Sequence, residues 1–215
     1  MFRKPPVYKA IEPNPKQPRQ VMKKILLPAI LISGLMTANA SVFMYSVSMN
    51  GLNEAPPNAS PGTGGGVIAY DDVSRTLSIN VNFTGLLGNT TAAHIHGPTA
   101  SPFTGTAGVV LTPGTLPGFP LGVTSGTYAT VLDLSLSSTY PAAYITANGG
   151  TTIGAETAIT GAMAAGRTYF NIHSTVVPGG EIRGFLTAVP EPSSLAMLGL
   201  GAMALAARSR KSICK

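Results

Sequence analysis

Thr76-Leu77-Ser78-Ile79-Asn80-Val81-Asn82-Phe83 alternates polar and apolar side chains without a break. A period of two places Leu77, Ile79, Val81 and Phe83 on one face of an extended strand and the polar residues on the other. Such a strand belongs to an antiparallel sheet with one face on a core and one in water. Outward from it, Asp71-Asp72 reads as a turn back to a strand over Val67–Tyr70, and Val42–Met49 is a further β-rich run ending at the turn signal Asn50-Gly51. Downstream, Thr127–Leu134 is a strand candidate, and Thr168–His173 and Glu181–Thr187 flank the hairpin-like punctuation Pro178-Gly179-Gly180. Gly64-Gly65-Gly66 reads as a linker, because it lacks the lysine and the strand-to-helix setting of a phosphate loop. Asn53-Glu54-Ala55-Pro56-Pro57 reads as edge or loop, since consecutive prolines remove ladder donors. Between Pro98 and Gly126 the chain is rich in Gly, Pro and Thr, with a short β signal at Val109–Leu111. Ala155–Ala165 has the composition of a short helix, weakened by glycine and β-branched residues. With 25 glycines and 18 prolines in 215 residues and no sustained helical period, six to nine short strands predict an all-β antiparallel sandwich or barrel.

The formal charge of +6 is concentrated at the ends. Residues 1–40 carry seven Lys/Arg against Glu12 alone, and residues 189–215 carry four against Glu191. The span 41–188 holds three arginines against six acids, so the predicted domain is mildly acidic. That distribution excludes nucleic acid as a partner, because no basic stripe is left to neutralise phosphates.

The basic ends read as addresses. Met22-Lys23-Lys24, the apolar Ile25–Ile32 and Ala38-Asn39-Ala40 form the three parts of a secretory signal peptide over 22–40, with signal peptidase expected to cut after Ala40. Residues 1–21 are rich in Pro, Lys and Gln, and are expected to be disordered or a mis-assigned upstream segment before a true start at Met22. At the other end, Val189-Pro190-Glu191-Pro192 precedes an apolar run over 195–207 and the basic Arg208-Ser209-Arg210-Lys211. A proline break, a short hydrophobic helix and a cationic stop predict a transient anchor in the inner membrane with the cations on the cytoplasmic side. This tail, 189–215, closely resembles the PEP-CTERM sorting signal of exopolysaccharide-producing Gram-negative bacteria. The resemblance implies processing near Pro190, Glu191 and Pro192 by an exosortase-like enzyme, and a final place at the cell surface or outside the cell. The single cysteine, Cys214, lies in the tail, so the exported domain is predicted to hold itself by packing alone.

All three histidines fall on two strand candidates. In Ala92-Ala93-His94-Ile95-His96-Gly97-Pro98 the two imidazoles share one face and Ile95 takes the other. His173 sits in a segment of the same alternation. Two readings stand. In one, His94, His96 and His173 form a copper site, since neutral imidazoles suit Cu(II) or Zn(II) and copper binds most tightly of the divalent first-row ions. In the other, the imidazoles hydrogen-bond to backbone or to Glu181 and hold a loop. Glu181 and Arg183, two apart on a strand, are expected to form an exposed ion pair of little energetic weight, with a saccharide or anion contact as the functional alternative for Arg183. Asp71-Asp72 lacks the oxygen ligands that calcium prefers. No nucleophile elbow, Cys/His pair or paired catalytic carboxylate is found in a convincing context.

Leu52-Asn53-Glu54-Ala55-Pro56-Pro57, Thr84-Gly85-Leu86, Ala93–Pro98, Asn171-Ile172-His173-Ser174 and Pro178-Gly179-Gly180-Glu181-Ile182-Arg183-Gly184 occur in an order that resembles the CHRD domain, a β-rich module named after chordin and found in many bacterial secreted proteins. The resemblance covers about 42–187 and implies an immunoglobulin-like or superoxide-dismutase-like β-sandwich over 41–188, without an established activity. The chain departs from that pattern by extra length between Ser135 and Gly166. His-x-His-Gly is also similar to a copper-ligand strand of copper/zinc superoxide dismutases, but three histidines are too few for their bridged two-metal centre. The expected function is therefore non-enzymatic: a structural, adhesive or binding protein of the cell surface or exopolysaccharide matrix, with other matrix proteins as candidate partners. A copper-binding, redox-active protein of the same fold is the alternative.

Overall fold

The computed structural model describes residues 41–190. The upstream segment 1–21, the signal peptide 22–40 with Ala40, and the tail from Glu191 and Pro192 through the 195–207 run lie outside the described residues. Among the described residues no helix is long and apolar enough to cross a membrane.

Eight strands join in one curled antiparallel sheet: β1 (Val42–Asn50), β2 (Thr63–Asp71), β3 (Thr76–Thr84), β4 (Thr90–His96), β5 (Gly126–Asp133), β6 (Tyr169–Ser174), β7 (Ile182–Phe185) and the short β8 (Thr187–Ala188). The spatial order is β4-β6-β7-β1-β2-β3-β5, with β8 added to β1. The alternating stretch is β3, and its apolar positions Leu77, Ile79, Val81 and Phe83 are all buried while the residues between them face outward. The strict pattern fixes the register, because a slip of one residue would exchange every side chain between core and water. Asp71 closes the β2–β3 hairpin by accepting from the amides of Val73 and Ser74.

The glycine triplet corrects the linker reading. Gly64, Gly65 and Gly66 lie inside β2, paired on one side with β1 and on the other with β3. A Cβ on Gly64 would fall 2.8 Å from the Asn82 carbonyl oxygen, and one on Gly66 would lie 2.6 Å from Val81 Cα. Glycine stands here because neighbouring backbones approach too closely for a side chain.

Residues 97–125 run along the outer edge of β4. Val110 and Leu116 donate to the carbonyls of Ile95 and Ala93 at 3.0 Å each, and Gly122 donates to Thr90 at 2.9 Å. The predicted strand at Val109–Leu111 is reduced to a single bridge between Val109 and His96. Phe119 from this segment stacks on Phe83 at 5.5 Å, meets Tyr128 edge-on at 5.2 Å and lies 6.5 Å from Phe170. It thereby ties the two ends of the curled sheet into one apolar core.

The extra length after Ser135 folds into α1 (Ala142–Ala147) and α2 (Thr152–Ala164). Thr151 caps α2 by accepting from the Gly154 amide at 3.0 Å. Glu156, buried on α2, accepts from the Tyr70 hydroxyl at 2.7 Å and from Arg75 Nε at 2.7 Å, fastening the helix to the β2–β3 hairpin. That network holds an insertion with no neighbouring strand to pair with.

Candidate metal centre

The two imidazole-bearing segments are antiparallel neighbours in the sheet. His94 lies opposite Asn171 and His96 opposite Tyr169, which sets His94 diagonal to His173. Ile95 is fully buried on the core face, as strand alternation requires. One ring nitrogen from each of His94, His96 and His173 lies within 4.8 Å of the other two, and all three residues are half-buried. His96 also stacks on Tyr169 at 4.8 Å with ring planes 3° apart.

The proton positions follow from the partners. His96 Nδ1 is 2.9 Å from the Ala107 carbonyl oxygen, His173 Nδ1 is 2.8 Å from that of Pro178, and His94 Nε2 is 2.5 Å from that of Gly114. A carbonyl only accepts, so each of these nitrogens carries the hydrogen. Burial pushes His96 down to about 4, with the neighbouring His94, His173 and Arg183 adding to it against the Ala107 hydrogen bond. Burial likewise lowers His173, the Pro178 hydrogen bond opposing it. Both rings are therefore neutral at pH 7, and their Nε2 atoms present lone pairs. His96 Nε2 is buried without any hydrogen-bond partner. His94 Nδ1 lies 3.0 Å from His173 Nε2. The carbonyls on the far side hold a hydrogen on His94 Nε2 and on His173 Nδ1, so the two facing nitrogens are the atoms left to take a metal ion. Two metal–nitrogen bonds of about 2.0–2.1 Å subtending this separation meet at about 95°. At the far end of the 4.8 Å range a ring must close by at least about 0.6 Å, because two such bonds span at most about 4.2 Å. The backbone carbonyls behind all three rings fix tautomer and orientation, the usual outer support of a histidine ligand.

The family model for the CHRD domain matches residues 45–186, about two thirds of the chain. The chain belongs to the CHRD family. A second family model, the PEP-CTERM protein-sorting motif, matches residues 188–211. Such signals are processed by exosortase-type systems at the membrane of Gram-negative bacteria. No curated protein and no solved structure matches the chain.

In this CHRD domain Glu181 and Arg183 do not form the expected exposed ion pair. Both are buried, and each has other partners. Glu181 accepts from the Ser60 hydroxyl at 2.6 Å and from the amides of Leu87 and Gly88 at 2.5 and 3.3 Å, while its own carbonyl accepts from Asn58. Burial works to raise the Glu181 carboxyl, but hydrogen bonds from Ser174, Ser60, Leu87 and Gly88 outweigh it and hold the group low. Arg183 donates to the carbonyls of Asn53 and Gly105, lies 3.8 Å from Glu54, and sits 4.7 Å above the Tyr169 ring. Loops at 51–60 and 103–105 cover the face that strand alternation alone left open to water.

Glu54, Asn171 and Tyr169 are site residues that the sequence reading passed over. Asn171 donates to Glu54 at 2.9 Å, and Tyr169, Asn171 and His173 occupy alternate positions of β6 on the histidine-bearing face. That shared period was the available signal. Burial pushes the Glu54 carboxyl up to about 7, against the lowering effects of Arg183, the Ala55 amide and Asn171. A raised acid binds more protons folded than unfolded, so its contribution is complete below pH 4.5 and is lost as pH rises through 7. Relative to the wild type, Glu54→Gln is expected to gain about 3 kcal/mol of stability between pH 4.5 and pH 8, read from urea unfolding at each pH. A pH-independent difference would contradict the buried, partly protonated carboxyl.

Proposed function

We propose that this CHRD protein is an exported surface protein that holds one copper ion between His94, His96 and His173. The observation that carries the reading is the pair of facing ring nitrogens at 3.0 Å, each with its hydrogen committed to a carbonyl on the far side. Three imidazole nitrogen donors suit copper or zinc, and copper is the stronger binder of the two in such a set. Among the described residues no carboxylate or thiolate joins the cluster, so the three imidazoles are the donors it offers. The PEP-CTERM motif supports delivery to the cell surface after tail processing, with signal peptidase acting at Ala40. The curled antiparallel sheet with one shared core supports the finer description of an immunoglobulin-like or superoxide-dismutase-like sandwich. A structural or adhesive role in the exopolysaccharide matrix is compatible with the same location, and the metal would then serve to stiffen or sense rather than to turn over substrate.

The test is metal analysis of the purified protein, followed by Cu(II) titration of chelator-treated material under electron paramagnetic resonance. One copper per chain with nitrogen couplings is expected. Melting should rise as for about 3 kcal/mol of added stability at a hundredfold excess over Kd. His173→Ala should lose at least a hundredfold in affinity while remaining folded. A protein that retains neither copper nor zinc and melts at the same temperature with and without Cu(II) sinks the proposal.

A further inference from the structure

Beside the histidine cluster a separate cleft of about 640 Å³ opens against β1 and β7, with Arg183 and Glu54 in its lining. Both charged groups are more than nine-tenths buried, yet neither is fully used. Arg183 spends Nε on Asn53 and Nη1 on Gly105, which leaves Nη2 without a hydrogen bond among the described residues. Glu54 spends Oε1 on Asn171, and its Oε2 has Arg183 Nε at 3.8 Å as its ion-pair partner. Arg183 thus offers a donor and Glu54 an acceptor to the lining of the same cleft. Ser46, Ser48, Thr104 and Thr187 add hydroxyls to the same lining.

The other component is aromatic. Phe103 and Phe185 line the cleft with ring centroids 6.2 Å apart in an edge-to-face arrangement. Phe103 is 56 % exposed although it is a large apolar residue, and its backbone is held at φ +57°. A left-handed conformation in a bulky residue costs free energy and persists only where the surroundings impose it. Here the Phe103 amide donates to the Gly166 carbonyl at 2.8 Å, and the ring lies so close to Gly166 that a Cβ there would overlap it. The ring is therefore held from behind at the rim with an outer face open.

We propose that this cleft binds a neutral saccharide, with the guanidinium and carboxylate gripping vicinal hydroxyls and Phe103 stacking on the sugar's C–H face. A hydroxyl both donates and accepts, so one diol satisfies Arg183 Nη2 and Glu54 Oε2 together. An anion is disfavoured, because the carbonyls of Asn53 and Gly105 already take Nε and Nη1 of the guanidinium and the Glu54 carboxyl oxygen beside it would repel a further negative charge. The volume lies in the range of small-molecule sites. The inference does not depend on metal at the histidines.

Maltotriose, cellotriose, mannotriose and trigalacturonate are titrated into the full-length protein by calorimetry and by amide and arginine Nε–H nuclear magnetic resonance. At least one neutral trisaccharide is expected to bind saturably and to shift Thr104, Gly105 and Arg183 Nε. Phe103→Gly, which relieves the backbone and removes the stacking face, should weaken that binding at least tenfold while melting no lower than the wild type. His173→Ala should leave it unchanged. No saturable binding by any of the three neutral sugars, undiminished binding in Phe103→Gly, or tighter binding of trigalacturonate would overturn the assignment.

Discussion

Glu181→Ala is expected to destabilise the domain by about 5 kcal/mol, enough to leave much of it unfolded at ambient temperature. The carboxylate is fully buried and accepts from Ser60, Leu87 and Gly88, so removing it strands the buried Gly88 amide and takes away the partner of the half-buried Ser60 hydroxyl and of the Leu87 amide. Each stranded donor costs about 1–3 kcal/mol, and more is lost because the hydrogen bonds are charge-assisted. Glu181→Gln keeps one accepting oxygen but turns an amide NH₂ toward a donor, and should lose about half as much. The pH dependence gives a second reading. The Glu181 carboxyl is lowered in the folded state, so its contribution is present above the unfolded value near 4.5 and is lost as pH falls below it. The stability gap between wild type and Glu181→Gln should therefore narrow between pH 5 and pH 3. A loss below 1 kcal/mol for Glu181→Ala in urea unfolding would mean that the loops find other acceptors.

Gly66→Val should be comparably damaging, at about 4 kcal/mol or more, through a different cause. The new Cβ would overlap the Asn80 carbonyl oxygen and press on Val81 Cα, and both are backbone atoms of the paired strand β3. A side chain can rotate away from such a clash, but a strand hydrogen-bonded on both sides cannot yield without breaking its ladder. Gly65→Ala is the control: its Cβ meets only the Val47 carbonyl oxygen, at 3.1 Å, and the gain of about 0.5–1 kcal/mol from replacing a strand glycine offsets that crowding, so stability should change by less than about 1 kcal/mol. Equal melting temperatures for the two variants would show that β2 and β3 have room to separate.

The strands were legible because burial imposes a period of two, and β3 shows it without interruption. The same alternation placed Ile95 in the core and His94 and His96 together on the other face. The glycine triplet was misread because close backbone approach and turn formation select the same residue, and only the neighbouring strands distinguish them. The Glu181 and Arg183 reading was wrong about water, since both are buried and the covering loops belong to distant sequence. Asn171 and Glu54, for example, are 117 positions apart. A two-residue strand such as β8 carries too little pattern to be seen at all. The histidine cluster was half legible: the residue types were visible, while the carbonyls of Ala107, Gly114 and Pro178 that orient them lie in irregular segments without a motif.

β8 meets β1 through only two residue pairs, Thr187 with Ser46 and Ala188 with Tyr45, and the matched sorting motif begins at residue 188, inside that strand. A pull applied from the C-terminal side therefore loads this short seam before any other part of the sheet, detaching its contacts one after another. The nine-pair ladder of β1 with β2 bears force only after the seam has opened. A two-pair seam of the sheet thus coincides with the point where the chain enters its sorting signal.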